Sequence, residues 1–201
     1  MTIDYPHFAE EIIKMKNYDL HVRARLADSG KLFIGYNQEM EEIHIKNASY
    51  LENIMQQIGW PGKEKVGTEG RDAAMIIVQH VISLPDFQKR CLQNIKDAID
   101  AGQEEKRNYA FLYDRICFNE RRPQKFGTQY DWDENGQMSP WTIENPNKVN
   151  TFRLEYGLNT IEEESEAVRK GAQENNEKPL SDFESRQHEI YEWSRRTGWI
   201  K

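Results

Sequence analysis

The chain predicts a mainly α protein, a single helical domain carrying one short antiparallel β-hairpin near residues 125–143. Three observations predict it. Apolar residues recur in alternating steps of three and four along most of the 201 residues, and glycine and proline punctuate those runs at short intervals. The period changes to two only on either side of Asp133-Glu134-Asn135-Gly136.

Pro6 opens the first helix, where its fixed φ suits a first turn, and the stripe Phe8, Ile12, Met15, Asp19, Val22, Leu26 continues until Gly30 ends it. A second helix, Gln38–Ile58, puts Met40, His44, Asn47, Leu51, Ile54 and Ile58 on one face, and Gly59-Trp60-Pro61 stops it. A loop over 62–70 leads into RDAAMIIVQHVISL. That segment is apolar nearly all round, which predicts the central buried helix, ending before Pro85.

A fourth helix, 85–101, is amphipathic through Phe87, Cys91, Leu92, Ile95, Ala98 and Ile99, and a fifth spans 105–119. KFGTQYDW (125–132) and QMSPWTI (137–143) then flank the Asn-Gly centre as hairpin strands, with Pro140 confining the second to an edge because it cannot donate to a ladder. Helices return over 146–156, 160–173 and 181–196. The polar run EEESEAVRKGAQENNEKP begins near residue 160, so the organisation reads as a core domain over 1–158 and a helical extension over 159–201 that packs on it, closed by Trp193 and Trp199.

Composition excludes several functions. The net charge is −7 with 30% charged residues, whereas a nucleic-acid binder needs a Lys/Arg surplus on one face; Arg121, Arg122 and Lys125 read as a solvated turn. The N-terminus MTIDYPHFAEEIIKM has acids where a signal peptide needs a basic and then an apolar region, and no run approaches a membrane span. The expectation is a cytoplasmic protein in which Cys91 and Cys117 are reduced packing residues.

The informative residues are polar side chains at positions the helical period assigns to the core, since burying an unpaired polar group costs roughly 1–3 kcal/mol. Asp19 interrupts the first stripe, His44 and Asn47 the second, Gln79 and His80 the apolar third helix, and Asp114 the fifth, where Ala110, Cys117 and Phe118 share its face. Taken singly each has a bland explanation, and Asp19 with Arg23 reads as an i,i+4 structural ion pair. Together they point to a shared polar pocket. Arg115, about 100° around the helix from Asp114, reads as a lock on carbonyls or Gln124 of the following turn, with anion binding as the alternative.

Five short motifs in order, carried by the four stretches IHIKNASYLENIMQQIGWP, DAAMIIVQHV, LYDRICF and RPQKFGTQY, resemble a bacterial family of unknown function patterned H-x-x-N, G-W-P, Q-H, D-R and P-Q-[YF]-G-T-Q. The likeness covers about residues 15–158, including RLEYGL at 153–158, and departs from the pattern by one lysine, Lys125, between Gln124 and Phe126. It implies a bacterial, mainly helical domain and adds no activity.

No G-x-S-x-G elbow, Walker loop or dinucleotide fingerprint is present. The leading reading is therefore an enzyme on a small polar molecule, of hydrolase or lyase type, using His-centred acid/base chemistry. Its catalytic set would be His80, His44 and Asp114, with a carboxylate from Asp114 or Asp19 fixing the His80 tautomer. Gln79, Asn47, Arg115, Gln124, Thr128, Gln129 and Trp60 would contact the ligand, and Gly127 would let backbone approach it. The competing reading is a non-catalytic binding protein with a protein partner and a structural polar network. A metal site from His44, His80 and Asp114, with Asp19, is a lesser alternative, because the E-x-x-H and H-E-x-x-H spacings are missing. No cofactor is assigned.

Overall fold

A computed structural model describes residues 3–32, 35–179 and 182–201. In order these form α1 (Pro6–Asp28), α2 (Gln38–Ile58), α3 (Lys63–His80), α4 (Pro85–Asp100), α5 (Lys106–Asn119), β1 (Tyr130–Trp132), β2 (Met138–Pro140), a 3₁₀ turn (Pro146–Lys148), α6 (Val149–Glu155), α7 (Ile161–Glu174) and α8 (Phe183–Arg196). The mainly helical class with one small hairpin is as expected. Among the described residues no helix is long and apolar enough to cross a membrane. The start expected for the last helix, Ser181, lies outside the described residues.

The chain forms two compact units, Met1–Glu104 and Glu105–Lys201, so the expected boundary at 158 falls within the second. In the first unit α1 packs along α3, with α2 against both. The stripes account for this. Ile12, Asp19, Val22 and Leu26 of α1, and Met40, His44, Asn47, Leu51 and Ile54 of α2, are all buried, as the period predicts. On α3, Ala73, Ala74, Met75, Ile77 and Val78 are buried, which makes it the apolar centre of this unit.

Helix α3 differs from expectation at both ends. It begins at Lys63 rather than after a loop, and is interrupted at Gly67, whose φ of 73° and ψ of 172° break the helix. A Cβ there would sit 2.8 Å from Ile3 Cδ1, so glycine serves both the kink and the close approach. Its last helical residue is His80, four short of Leu84. Residues whose composition reads as a loop can thus wind into helix when one glycine takes up the break.

In the second unit β1 and β2 pair antiparallel, Tyr130 opposite Pro140, Asp131 opposite Ser139 and Trp132 opposite Met138. The strands are shorter than the alternating segments; a single parallel bridge, Gln124 to Ile143, continues the association beyond them. The turn is built by Asp133, whose Oδ1 accepts from the backbone N–H groups of Asn135 and Gln137. Helix α7 starts with a reciprocal capping box between Thr160 and Glu163 and packs on β2, where Arg169 Nε donates to the Met138 carbonyl. From α8, Arg186 pairs with buried Asp131 at 2.5 Å. The segment expected to be an extension is thereby part of the second unit.

Candidate active site

Three helices of the first unit bring Asp19, His44 and His80 together. Asp19 is at the centre and wholly buried. Its Oδ1 and Oδ2 lie 3.0 and 3.1 Å from His80 Nδ1, and Oδ2 lies 3.1 Å from His44 Nε2. Exposed Arg23 is not its partner: the helical stripe turns Asp19 inward, so its carboxylate meets the two imidazoles instead of forming the expected i,i+4 pair.

The sequence gives no sign of Tyr36, which completes the cluster. Its Oη is 2.7 Å from His44 Nδ1 and donates toward the His80 carbonyl oxygen at 3.5 Å. The Tyr36 and His44 rings stack at 5.8 Å, while the His44 and His80 ring centroids are 5.4 Å apart. Gln88, also missed, is fully buried on α4 and donates through Nε2 to the Val78 carbonyl at 2.7 Å, securing the last turn of α3 that carries His80. An amide on an amphipathic helix gives no pattern by which to foresee this bond. Gln79, by contrast, offers its backbone carbonyl to Gln88 Nε2 at 3.5 Å.

The electrostatics follow from the geometry. Burial alone would raise the Asp19 carboxyl, but the imidazoles of His80 and His44, facing it at 3.0 to 3.1 Å, outweigh it and hold Asp19 well below the usual carboxylate range. Burial pushes the Tyr36 phenol above its ordinary value, so the hydroxyl keeps its proton. The His80 side chain is 23% exposed against 5% for His44, which makes His80 the member that reaches solvent. Asn47, one turn beyond His44 on the same buried stripe, has no partner for Nδ2 among the described residues.

Asp114 belongs to the second unit and has another task. It accepts from the backbone N–H groups of Lys125, Phe126 and Thr128 at 2.9 to 3.1 Å, and from Thr128 Oγ1 at 3.1 Å. Burial raises its carboxyl while these donors pull the other way. On the other side of the same loop, Arg153, 1% exposed, donates through Nη1 to the carbonyls of Phe126 and Gly127 and through Nε to that of Asn159. Gly127 has φ of 68°, and a Cβ there would collide with Ile161 Cδ1 at 2.5 Å. The backbone approach it permits is to Asp114 and Arg153.

Gln124 and Gln129 are built into the same loop. Gln124 Nε2 donates to the Gln129 and Trp141 carbonyls, both at 2.9 Å, and its Oε1 accepts from the Gln129 N–H at 2.9 Å. Gln129 Nε2 donates to Thr128 Oγ1 at 3.2 Å. Arg115 is half-buried on α5. In the first unit, Trp60 is buried and Nε1 donates to Glu104 Oε2 at 2.7 Å, beside Arg71. These contacts tie backbone segments together. The buried cysteines share that structural character: burial pushes both the Cys91 and the Cys117 thiols up to about 12.

The fold and site define a helical protein with a buried carboxylate set between two histidines. The chain belongs to the family described as "Family of unknown function (DUF6624)", which matches residues 6–171. No curated protein and no solved structure is similar enough to match.

Proposed function

We propose that the protein is an enzyme of bacterial cytosol acting on a small polar molecule, of hydrolase or lyase type, with Asp19, His44 and His80 as its reaction centre. The observation that carries the reading is the fully buried, ionised Asp19 carboxylate holding two imidazoles, one of which, His80, is reached by solvent. A carboxylate behind a histidine fixes the ring and stabilises its cation when a proton is taken from water or a substrate hydroxyl. Tyr36 supplies orientation from the other side of His44. Asn47 supplies a neutral donor on the same face.

The test compares wild type with His80→Gln against a panel of small polar esters, amides and phosphate esters, alongside thermal melts of both. Turnover falling by roughly 10²–10⁴-fold with the melt nearly unchanged is the expected result. A melt lowered by several kcal/mol, with no turnover by either protein, would sink the reading in favour of a structural polar core and a binding role.

A further inference from the structure

We infer that Asp19, His44 and His80 bind one borderline divalent cation, of the zinc, cobalt or nickel type, with a coordination position left open on the His80 side. The inference rests on the reading above and deepens it by naming the cofactor of the same centre.

The distances come first. One ligand atom from each residue can be chosen so that all lie within 4.8 Å of one another, and the Asp19 oxygens are 3.0 to 3.1 Å from the facing nitrogens of both histidines. Ligand atoms bound at about 2.0–2.2 Å, and 90–110° apart, sit roughly 3.0–3.5 Å from each other. Both Asp19–histidine pairs therefore already hold the spacing of a coordination sphere, and the two histidine nitrogens, within 4.8 Å of each other, need only a small approach to complete it.

The surroundings of His44 Nε2 supply a second observation. His44 is nine-tenths buried, yet its Nε2 makes no hydrogen bond among the described residues although Asp19 Oδ2 is 3.1 Å away. Tyr36 Oη is 2.7 Å from His44 Nδ1 and 3.5 Å from the His80 carbonyl oxygen. In the tautomer that carries its proton on Nδ1, His44 donates to the Tyr36 oxygen at 2.7 Å and turns the Nε2 lone pair toward Asp19 Oδ2. A lone pair facing a carboxylate oxygen at this distance is repulsive, and a cation lying between them removes the repulsion. An outer N–H held by a hydroxyl, with the inner nitrogen turned to the centre, is also how histidine ligands are oriented.

The donor set chooses the ion. Two imidazoles and one carboxylate suit borderline first-row metals, whereas calcium and magnesium prefer all-oxygen sites, and no thiolate is present to favour copper(I). Three protein ligands with a solvent-reached edge leave room for a water, whose pKa a divalent ion lowers to about 7. With His80 Nδ1 serving as a ligand, an ion held there would supply its bound water as the reacting base in place of the free imidazole, and the proton that water gives up would leave to solvent past His80.

The full chain, stripped with chelator and dialysed, is titrated with zinc chloride by calorimetry and with cobalt(II) by visible absorption. One ion per chain is expected, with d–d bands typical of nitrogen and oxygen ligands. Tyr36→Phe should weaken binding roughly 10–100-fold. Asp19→Asn, a near-isosteric change chosen in case His44→Ala does not fold, should weaken it by more. No binding, or binding equal in wild type and Asp19→Asn, overturns the metal site. Turnover that survives chelation while no ion binds would overturn it and leave the enzyme reading standing. One ion per chain without turnover on any substrate would uphold the site and remove the enzyme reading.

Discussion

Two aspartates with no exposure at all, Asp19 in the first compact unit and Asp114 in the second, have opposite surroundings. Asp114 meets three backbone N–H groups and a hydroxyl, donors that do not titrate and that belong to the loop it organises. Asp19 meets two imidazoles, which can ligate, and beside it His44 Nε2 and Asn47 Nδ2 have no hydrogen-bond partner among the described residues. A fully satisfied carboxylate fixes a fold. One that leaves neighbouring polar atoms unsatisfied has room for the ion proposed above.

The largest expected effect tests the structural member. Asp114→Ala strands three backbone donors in the interior and leaves Arg153 facing the loop without its counterpart, so the second unit should lose about 3–5 kcal/mol. Calorimetric melting reads this directly. A loss below about 1 kcal/mol would mean that the loop is held by Arg153 and Gln124 alone. Gln124→Ala is the next step down, because it opens three buried hydrogen bonds of neutral groups, and about 2–3 kcal/mol is expected from urea unfolding.

At the other aspartate the order of effects inverts. Asp19→Asn keeps volume and one acceptor, so it should cost less stability than Asp114→Ala while abolishing metal binding and turnover. Equal losses of stability at both sites would erase the distinction between them. Thr160→Ala lies outside both networks and removes one half of an exposed capping box; a cost of about 1 kcal/mol provides the scale against which the others are judged.

The contrast also explains what could be seen in the sequence. Helical periodicity placed Asp19, His44, Asn47 and Asp114 on buried faces, and all four are buried. It did not say which interior each would enter, so Asp114 was grouped with histidines of the other unit. The i,i+4 rule offered Arg23 to Asp19, yet a residue on the inward stripe cannot easily meet one on the solvent face. Tyr36 lies between a turn and the cap of α2, outside any periodic segment, and Gln88 acts on a carbonyl, which no side-chain pattern encodes. In the P-Q-K-F-G-T-Q segment, polar side chains that read as ligand donors instead answer the backbone groups of a glycine-centred loop.

The smallest expected effect keeps the two units apart. Cys91 lies in the first unit and Cys117 in the second; both are wholly buried, and burial pushes both thiols up to about 12. Neither should react with a disulfide reagent at neutral pH except through opening of the structure around it. Labelling of each cysteine, followed by mass spectrometry of peptides, therefore measures the opening of its own unit. Asp114→Ala should accelerate Cys117 by the factor its stability loss implies, with Cys91 changing little. Asp19→Asn should leave Cys117 near its wild-type rate. If Cys91 and Cys117 accelerate together in Asp114→Ala, the chain unfolds as one cooperative body, and the buried carboxylate of the second unit contributes to the stability of the first.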